Sequence, residues 1–369
     1  MSATVAFDAR MLGASGIGTY IYYLLRELAA AETKLRFNLM GDPEKLAQIV
    51  KGRQNFRITP ADFPIYSVAE QVKIPSLARG ADLLHSPHHN VPLLWSGKLL
   101  LTFHDALHWD YPEYIPDWRG KIYLWAISRK IRRADWIITP SHFTAGRVAE
   151  IFDFPQEKIS VIYEGVDPER FFPRDENSVA AALKKYDLTP QTYILYVGNL
   201  KMHKNIIRLV EGYRIAKKRG LEFPLVLAGK IAGLRAKVDV EKILSVPGVR
   251  YIGEIPHEDL PYLYSGARAL ALVSLYEGFG LPPLEAMACG CPVLASDAAS
   301  LPEVVGDAAL IVNPYDVDEI AESLQKICLD LKLRKNLIER GGEQARKFRW
   351  HNTARQTLEV YRKLMEREI

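Results

Sequence analysis

Short runs of consecutive apolar residues recur along the whole chain, separated by stretches with helical spacing. No other feature constrains the fold as much. A run that is apolar at every position suits a strand buried on both faces. Strands alternating with helices imply a parallel sheet covered on both sides. In the first half the candidate strands lie at 4–7, 35–39, 81–84, 98–103, 136–139 and 159–163, most of them continuous rather than alternating, with helical stretches such as 18–31 and 141–151 between them. The pattern weakens over 167–191, a polar, proline-containing segment that reads as the crossing between domains. It resumes at 193–197, 225–228, 249–252, 269–274, 292–296 and 309–312, with a helical stretch at 205–219. The expected architecture is α/β. One Rossmann-like domain covers 1–170, a second covers 171–347, and an amphipathic helix over 348–369 packs back towards the first. In such sheets ligands bind beyond the carboxyl ends of the strands, so two parallel sheets facing across a cleft would gather the strand-end motifs there.

Length and charge agree with this division. The 369 residues suit two domains, and 48% hydrophobic with 25% charged residues excludes a disordered chain. The net charge is +4, and a division at residue 170 leaves both halves near neutral, which argues against nucleic acid as a partner. No apolar run reaches the ~18–20 residues of a membrane span, and the first residues lack signal-peptide features. Three cysteines, Cys289, Cys291 and Cys328, cannot build a disulfide framework. The expected location is the cytoplasm.

The stretch ALALVSLYEGFGLPPLEAMACGCPVLAS (269–296) concentrates the chemistry. A buried strand runs into a loop whose Gly278 and Gly280 allow close approach of backbone to a ligand. Pro282 and Pro283 suit a helix start, where exposed N–H groups would attract an anion such as phosphate. Glu277 lies in the loop and Glu285 in the first helical turn, so one carboxylate can face a sugar and the other ribose hydroxyls. The plainer alternative is that Glu285 complements the helix dipole and the glycines only turn the chain. Five of the nine histidines, His85, His88, His89, His104 and His108, fall in one region. They lack helical metal-ligand spacing and a carboxylate cluster. The one Asp-x-Asp triplet, Asp316–Asp318, suits a helix cap, so no metal site is expected.

The string Glu277, seven residues, Glu285 within EGFGLPPLEAMACGCPV resembles the signature of the family 4 retaining glycosyltransferases, which have the GT-B fold. SGIGTY (15–20), TFHD (102–105), RRADWIITPSHFT (132–144), EGVD (164–167), YVGNLKMHKN (196–205), LAGK (227–230), YIGE (251–254) and LPEVVGDAALIVNP (301–314) resemble further motifs of that family in order. The resemblance implies that Glu277 contacts the transferred hexose, with Gly278, Phe279, Gly280 and Leu281 beside it. Glu285 would bind the donor ribose, and Lys204 the donor diphosphate. Asn199 stands where an arginine is usual. Lys201 either replaces that cation or is a surface lysine. Gly16 and Gly18 would bring N–H groups to the donor phosphate or acceptor. His104 follows a buried strand and would lie near the anomeric centre, or else would only bond to backbone. Asp105 would orient it or cap the next segment. For a protein nucleophile, Glu277 is the one carboxylate to test.

The resemblance is strongest to mannosyltransferases of bacterial polysaccharide assembly. It implies GDP-mannose as the nucleotide-sugar donor and a glycan or polyprenyl-diphosphate-linked sugar as acceptor, with no essential metal or other cofactor. A UDP-hexose donor is the alternative, and a nucleotide-sugar epimerase of the same fold a more remote one. A dinucleotide oxidoreductase is disfavoured because the first glycine loop runs G-x-x-G-x-G from Gly13, not G-x-G-x-x-G. Residues 118–133, WRGKIYLWAISRKIRR, hold six basic side chains and no acid, with aromatic and aliphatic residues interleaved. Such a helix either meets anionic lipid on the inner face of the cytoplasmic membrane or packs on the core with a solvated basic face.

Overall fold

A computed structural model describes residues 3–115, 117–231 and 240–366. The chain forms two compact units, residues 1–165 with 350–369, and residues 166–349. In the first unit seven strands form one parallel sheet: β1 Thr4–Asp8, β2 Arg36–Gly41, β3 Phe56–Pro60, β4 Leu83–Ser86, β5 Leu99–Thr102, β6 Trp136–Thr139 and β7 Ile159–Val161. Their order is β3-β2-β1-β4-β5-β6-β7, and in register Phe7 sits opposite both Leu39 and His85. The second unit holds β8 Ile194–Val197, β9 Leu225–Ala228, β10 Val249–Tyr251, β11 Ala269–Leu272, β12 Val293–Ser296 and β13 Ala309–Val312. Their order is β10-β9-β8-β11-β12-β13, again with parallel pairing throughout.

Both sheets are doubly wound. The direction of winding reverses between β1 and β4 in one unit and between β8 and β11 in the other. Loops leaving the carboxyl ends of neighbouring strands diverge at such a point and leave a crevice for a ligand. The central strands β4, β5, β6, β9, β11 and β12 are buried at every position, which explains why β9 and β11 are apolar throughout and β5, β6 and β12 at all but their last residue, while β4 ends on the buried His85 and Ser86.

One strand was not anticipated. Strand β3, FRITP, lies at the sheet edge and is buried at no position, so it lacks an apolar run. An edge strand also tolerates its terminal Pro60, which a central strand would not.

The segment 167–191 is not simply a crossing. It contains the helix Glu176–Leu183, capped by Asp175 accepting from the Ser178 N–H at 2.9 Å. Val179 and Leu183 are buried, one helical turn apart, at the distance where any side chain on Gly266 would collide with them. Only these two positions face inward, so the apolar signal is short. The chain passes between units at Gly165–Val166.

The helix Trp350–Glu366 belongs to the first unit. Trp350 stacks on Tyr23 with centroids 5.0 Å apart, Thr353 donates its hydroxyl to the Tyr163 carbonyl, and Tyr361 is fully buried.

Candidate active site

In the second unit the loops after β8 and β11 meet. The turn Met202–Lys204 follows β8, and the Leu275 N–H donates to the His203 carbonyl at 2.7 Å. Asn205, buried and with φ 57°, donates its side-chain amide to the carbonyls of Val273 and Pro314 at 2.9 and 2.7 Å. These bonds place Lys204 beside Glu277. Its Nζ lies 2.7 and 2.6 Å from the two carboxylate oxygens, and Ser274 Oγ donates to Glu277 Oε1 at 2.8 Å. The pair is mostly shielded, with side-chain exposures of 20% and 11%.

The loop that carries Glu277 is held from beneath. Ser300 Oγ lies within hydrogen-bond distance of the carbonyls of Glu277 and Phe279, at 2.9 and 2.8 Å. Phe279 is buried against Phe348, so its backbone, not its ring, is what remains for a ligand. Gly280 has φ 108° and caps the helix Leu281–Ala288. A side chain there would be strained and would meet Leu301.

Two expectations about this helix are corrected. Glu285 lies beyond the first turn, and no acid occupies that turn, so Glu285 is not a dipole partner. It is buried and accepts a hydrogen bond from Tyr264 Oη at 2.9 Å. Pro282 and Pro283 carry no N–H, so the helix start keeps its dipole but lacks two of the donors that an anion would meet. Asn199 follows β8 and its carbonyl accepts from Tyr196 Oη at 3.1 Å, while Lys201 is exposed. Asp316 caps the helix Val317–Leu329 and Asp318 pairs with Arg219. A pocket of about 360 Å³ in this unit is lined by Phe171, Phe172, Met287, Ile338 and Arg346 among others, and its lining includes none of the candidate site residues.

In the first unit the glycine loop differs from expectation. Gly16 and Gly18 both lie inside the helix Ser15–Ala30. The Gly18 N–H is spent on the Ala14 carbonyl at 2.8 Å and therefore does not reach a phosphate. Gly18 is needed for packing, because a Cβ there would lie 2.7 Å from the Gly13 nitrogen. Gly16 is exposed, with open space beside it.

His104 leaves β5 with both ring nitrogens engaged. Nδ1 is 3.2 Å from Glu164 Oε1 and Nε2 is 3.0 Å from the Pro87 carbonyl. Both neighbours are acceptors, and a neutral imidazole donates through only one nitrogen. Asp105 does not orient the ring. It accepts from the Leu107 N–H at 3.0 Å and so caps the next turn. Glu164 fills the orienting position, and its signal was the EGVD motif just after β7.

The same sheet edge carries a polar network that the sequence reading did not identify. Arg10, with a side chain 5% exposed, makes paired bonds to Asp8 at 2.8 and 2.7 Å and reaches Glu70 at 3.1 Å. Asn90 donates to both Glu70 oxygens at 3.1 and 2.9 Å, and Tyr123 donates its hydroxyl to Asn90 Oδ1. Burial raises the Glu70 carboxyl pKa, against the opposing pull of Asn90 and Arg10. The available signal was FDAR, an acid–base pair at the end of a buried strand. Behind it His85 is enclosed between Tyr361 Oη at 2.7 Å and Thr102 Oγ1 at 2.8 Å. Burial, and then the charge of His104, push its imidazole down to about 3. Burial likewise holds His88 well below its usual range and His89 at about 4. Among the described residues no three His, Cys, Asp or Glu side chains group as metal ligands.

Two doubly wound parallel units with charged loops at each switch point define a GT-B-type α/β protein. Residues 14–170 match the family described as glycosyltransferase family 4, and residues 181–344 match glycosyl transferases group 1. The chain is 36% identical over 286 residues to the O-antigen chain mannosyltransferase B of Escherichia coli, spanning 76% of this chain and 74% of that protein. It is 27% identical over 331 residues to the O-antigen chain mannosyltransferase RfbU of Salmonella typhimurium, spanning 86% and 88%. A solved Anabaena protein, HepE in complex with UDP and glucose, superposes with a TM-score of 0.79 at 17% identity, over 98% of this chain and 100% of that one. The chain belongs to glycosyltransferase family 4 and is a glycosyltransferase.

Proposed function

We propose that the protein transfers mannose from GDP-mannose to a glycan or lipid-linked oligosaccharide, with retention of anomeric configuration and without a resident metal. The observation that carries this reading is the 36% identity, over three quarters of both chains, to a protein named as an O-antigen chain mannosyltransferase. The site chemistry is compatible with it. Lys204 is the cation for the donor diphosphate, exchanging its carboxylate partner for phosphate oxygens when the donor binds. Glu277, released from Lys204, meets hydroxyls of the transferred hexose. Glu285, fixed by Tyr264, takes the ribose hydroxyls. Catalysis is mainly positioning plus electrostatic stabilisation of the leaving diphosphate. His104, oriented by Glu164, is a polar group at the acceptor side. The acceptor is held by the first unit, and a lipid-linked acceptor places the reaction at the inner face of the cytoplasmic membrane.

The test is a transfer assay with GDP-mannose, UDP-glucose or UDP-galactose and a mannosylated acceptor, with and without EDTA. The anomeric configuration of the product is read by NMR. The expected result is an α-linked mannoside from GDP-mannose, unaffected by EDTA. Transfer from a UDP-hexose alone overturns the donor assignment. An inverted product overturns retention, and complete loss in EDTA overturns metal independence. Conversion of the nucleotide-sugar without transfer to any acceptor points to an epimerase.

A further inference from the structure

We infer that the first unit docks on an anionic bilayer through a face assembled from three segments of the chain, of which the helix Trp118–Ile131 is only one. Trp118, Ile122 and Trp125 are 66%, 55% and 57% exposed. Their spacing of four and three residues puts them on one side of the helix. Two further segments expose apolar side chains of similar size. Val68 and Val72, one turn apart at the start of the helix Val68–Leu77, are 86% and 62% exposed, and Leu94 in the loop after β4 is 65% exposed. Tyr22 aside, every large hydrophobic residue exposed in this unit, among the described residues, lies between 66 and 125.

Specific contacts hold the three segments side by side. Gln71 Oε1 accepts the Leu93 N–H at 2.6 Å, joining the 68–77 helix to the loop. Lys130 donates to the Trp95 carbonyl, joining the loop to the 118–131 helix. Tyr66, just before the first helix, meets the Tyr123 ring at 5.6 Å.

The charge pattern selects the occupant. Residues 118–133 carry six cations and no acid. Arg129 lies over the Trp125 ring at 3.9 Å and Arg119 over Trp118 at 5.6 Å. Arg119, Lys121 and Arg129 form no ion pair among the described residues. Of the acids nearest in sequence or contact, Glu113 and Asp117 are exposed before the helix and Glu70 is buried. Asp117 accepts the Gly120 N–H at the helix start, and Glu70 is buried with Arg10 and Asn90. Aromatic rings with guanidinium groups at their own level match the lipid headgroup boundary, where rings enter the acyl edge and cations meet phosphates. A second copy of this chain would set the same cations against each other. The inference is independent of the donor sugar. It deepens the lipid-linked-acceptor reading, on which its purpose rests. Tyr66 and Tyr123 also touch His88 and Asn90 at the carboxyl edge of the sheet, so a docked face sets that edge beside lipid-borne acceptor.

The experiment is flotation of the full chain with vesicles of phosphatidylcholine alone or mixed with phosphatidylglycerol, without substrates. Binding is expected only to the mixed vesicles and is expected to weaken as salt is raised. The double variant Val72→Ser/Leu94→Ser, which changes no charge and leaves 118–133 untouched, should lower the bound fraction at least fivefold. Arg129→Glu should do the same. Both variants should keep the wild-type melting temperature and the wild-type rate on a water-soluble acceptor. Undiminished binding by the double variant confines docking to one helix and overturns the three-segment face. Equal binding to phosphatidylcholine, or no binding, overturns the lipid assignment. A dimer in light scattering that the double variant dissociates assigns the face to a second copy. Transfer without vesicle binding sinks docking alone, and vesicle binding without transfer from GDP-mannose sinks the donor reading alone.

Discussion

Lys204 and Glu277 form a two-pronged ion pair, with Nζ 2.7 and 2.6 Å from the carboxylate oxygens, although 73 residues separate them. The two residues assigned to neighbouring parts of the donor are therefore each other's partners. On the roles proposed for them, donor binding exchanges one contact for another, and this bears on how either substitution reads out.

For this pair, Glu277→Gln removes the counter-charge and leaves Lys204 available to phosphate. GDP affinity should stay level or tighten by up to about tenfold, roughly 1.4 kcal/mol. Turnover should fall by about 100-fold or more, the scale seen when a transition-state contact is lost. Lys204→Ala should weaken GDP by at least about tenfold. Calorimetric titration with GDP and single-turnover transfer separate the two effects. Unchanged GDP affinity in Lys204→Ala would show that another cation holds the diphosphate.

Tyr264 is the hydroxyl partner of the buried Glu285 at 2.9 Å. Tyr264→Phe leaves the carboxylate without that donor, at a cost of about 1–3 kcal/mol. Thermal unfolding should move down by several degrees, and GDP affinity should fall as Glu285 loses its orientation. A variant as stable as wild type would mean that other contacts of Glu285 suffice.

The two glycines of SGIGTY should respond oppositely. Gly18→Ala drives a methyl into the backbone of Gly13 and should cost about 1–3 kcal/mol. Gly16→Ala meets nothing, sits inside a helix, and should stabilise by about 0.5–1 kcal/mol. Urea unfolding of both variants gives the comparison. A Gly16→Ala protein that is more stable yet slower in transfer would place the Gly16 backbone in contact with substrate.

Acid should destabilise the first unit well above the carboxylate range. His85 and His89 are depressed to about 3 and about 4, and His88 is also depressed, all from near 6.5 when unfolded. Between these limits the unfolded chain binds more protons than the folded one. Stability is therefore full above about pH 6.5 and falls as pH drops towards 4, by ~1.4 kcal/mol per pH unit for each such proton. His85→Gln should flatten that slope by about one proton in denaturant titrations at pH 7, 6 and 5. An unchanged slope would mean that His85 takes up its proton while folded.

The class of fold was legible because strands buried on both faces are apolar at nearly every position, and β5 and β12 announce themselves that way. The edge strand β3 did not, since no position of its sequence FRITP is buried and it holds no apolar run. Glu277, Glu285 and Lys204 were legible as motif residues. The pairing of Lys204 with Glu277 was not, because it depends on the winding that sets β8 beside β11. The glycines of SGIGTY read as a phosphate loop, yet a helix beginning at Ser15 had already claimed the Gly18 N–H.

The sequence by itself determined the strands buried on both faces, most of the helices between them, and which strand ends carry charge, because local spacing and burial leave a periodic record; the edge strand β3 and the helix Glu176–Leu183 left none. The tertiary structure alone decided which strand ends are neighbours. It brought Glu164 to His104, Tyr361 to His85 and Glu70 to Arg10, across 60, 276 and 60 residues. Such contacts follow from the order of strands in a sheet, and a single chain's local pattern holds no record of that order.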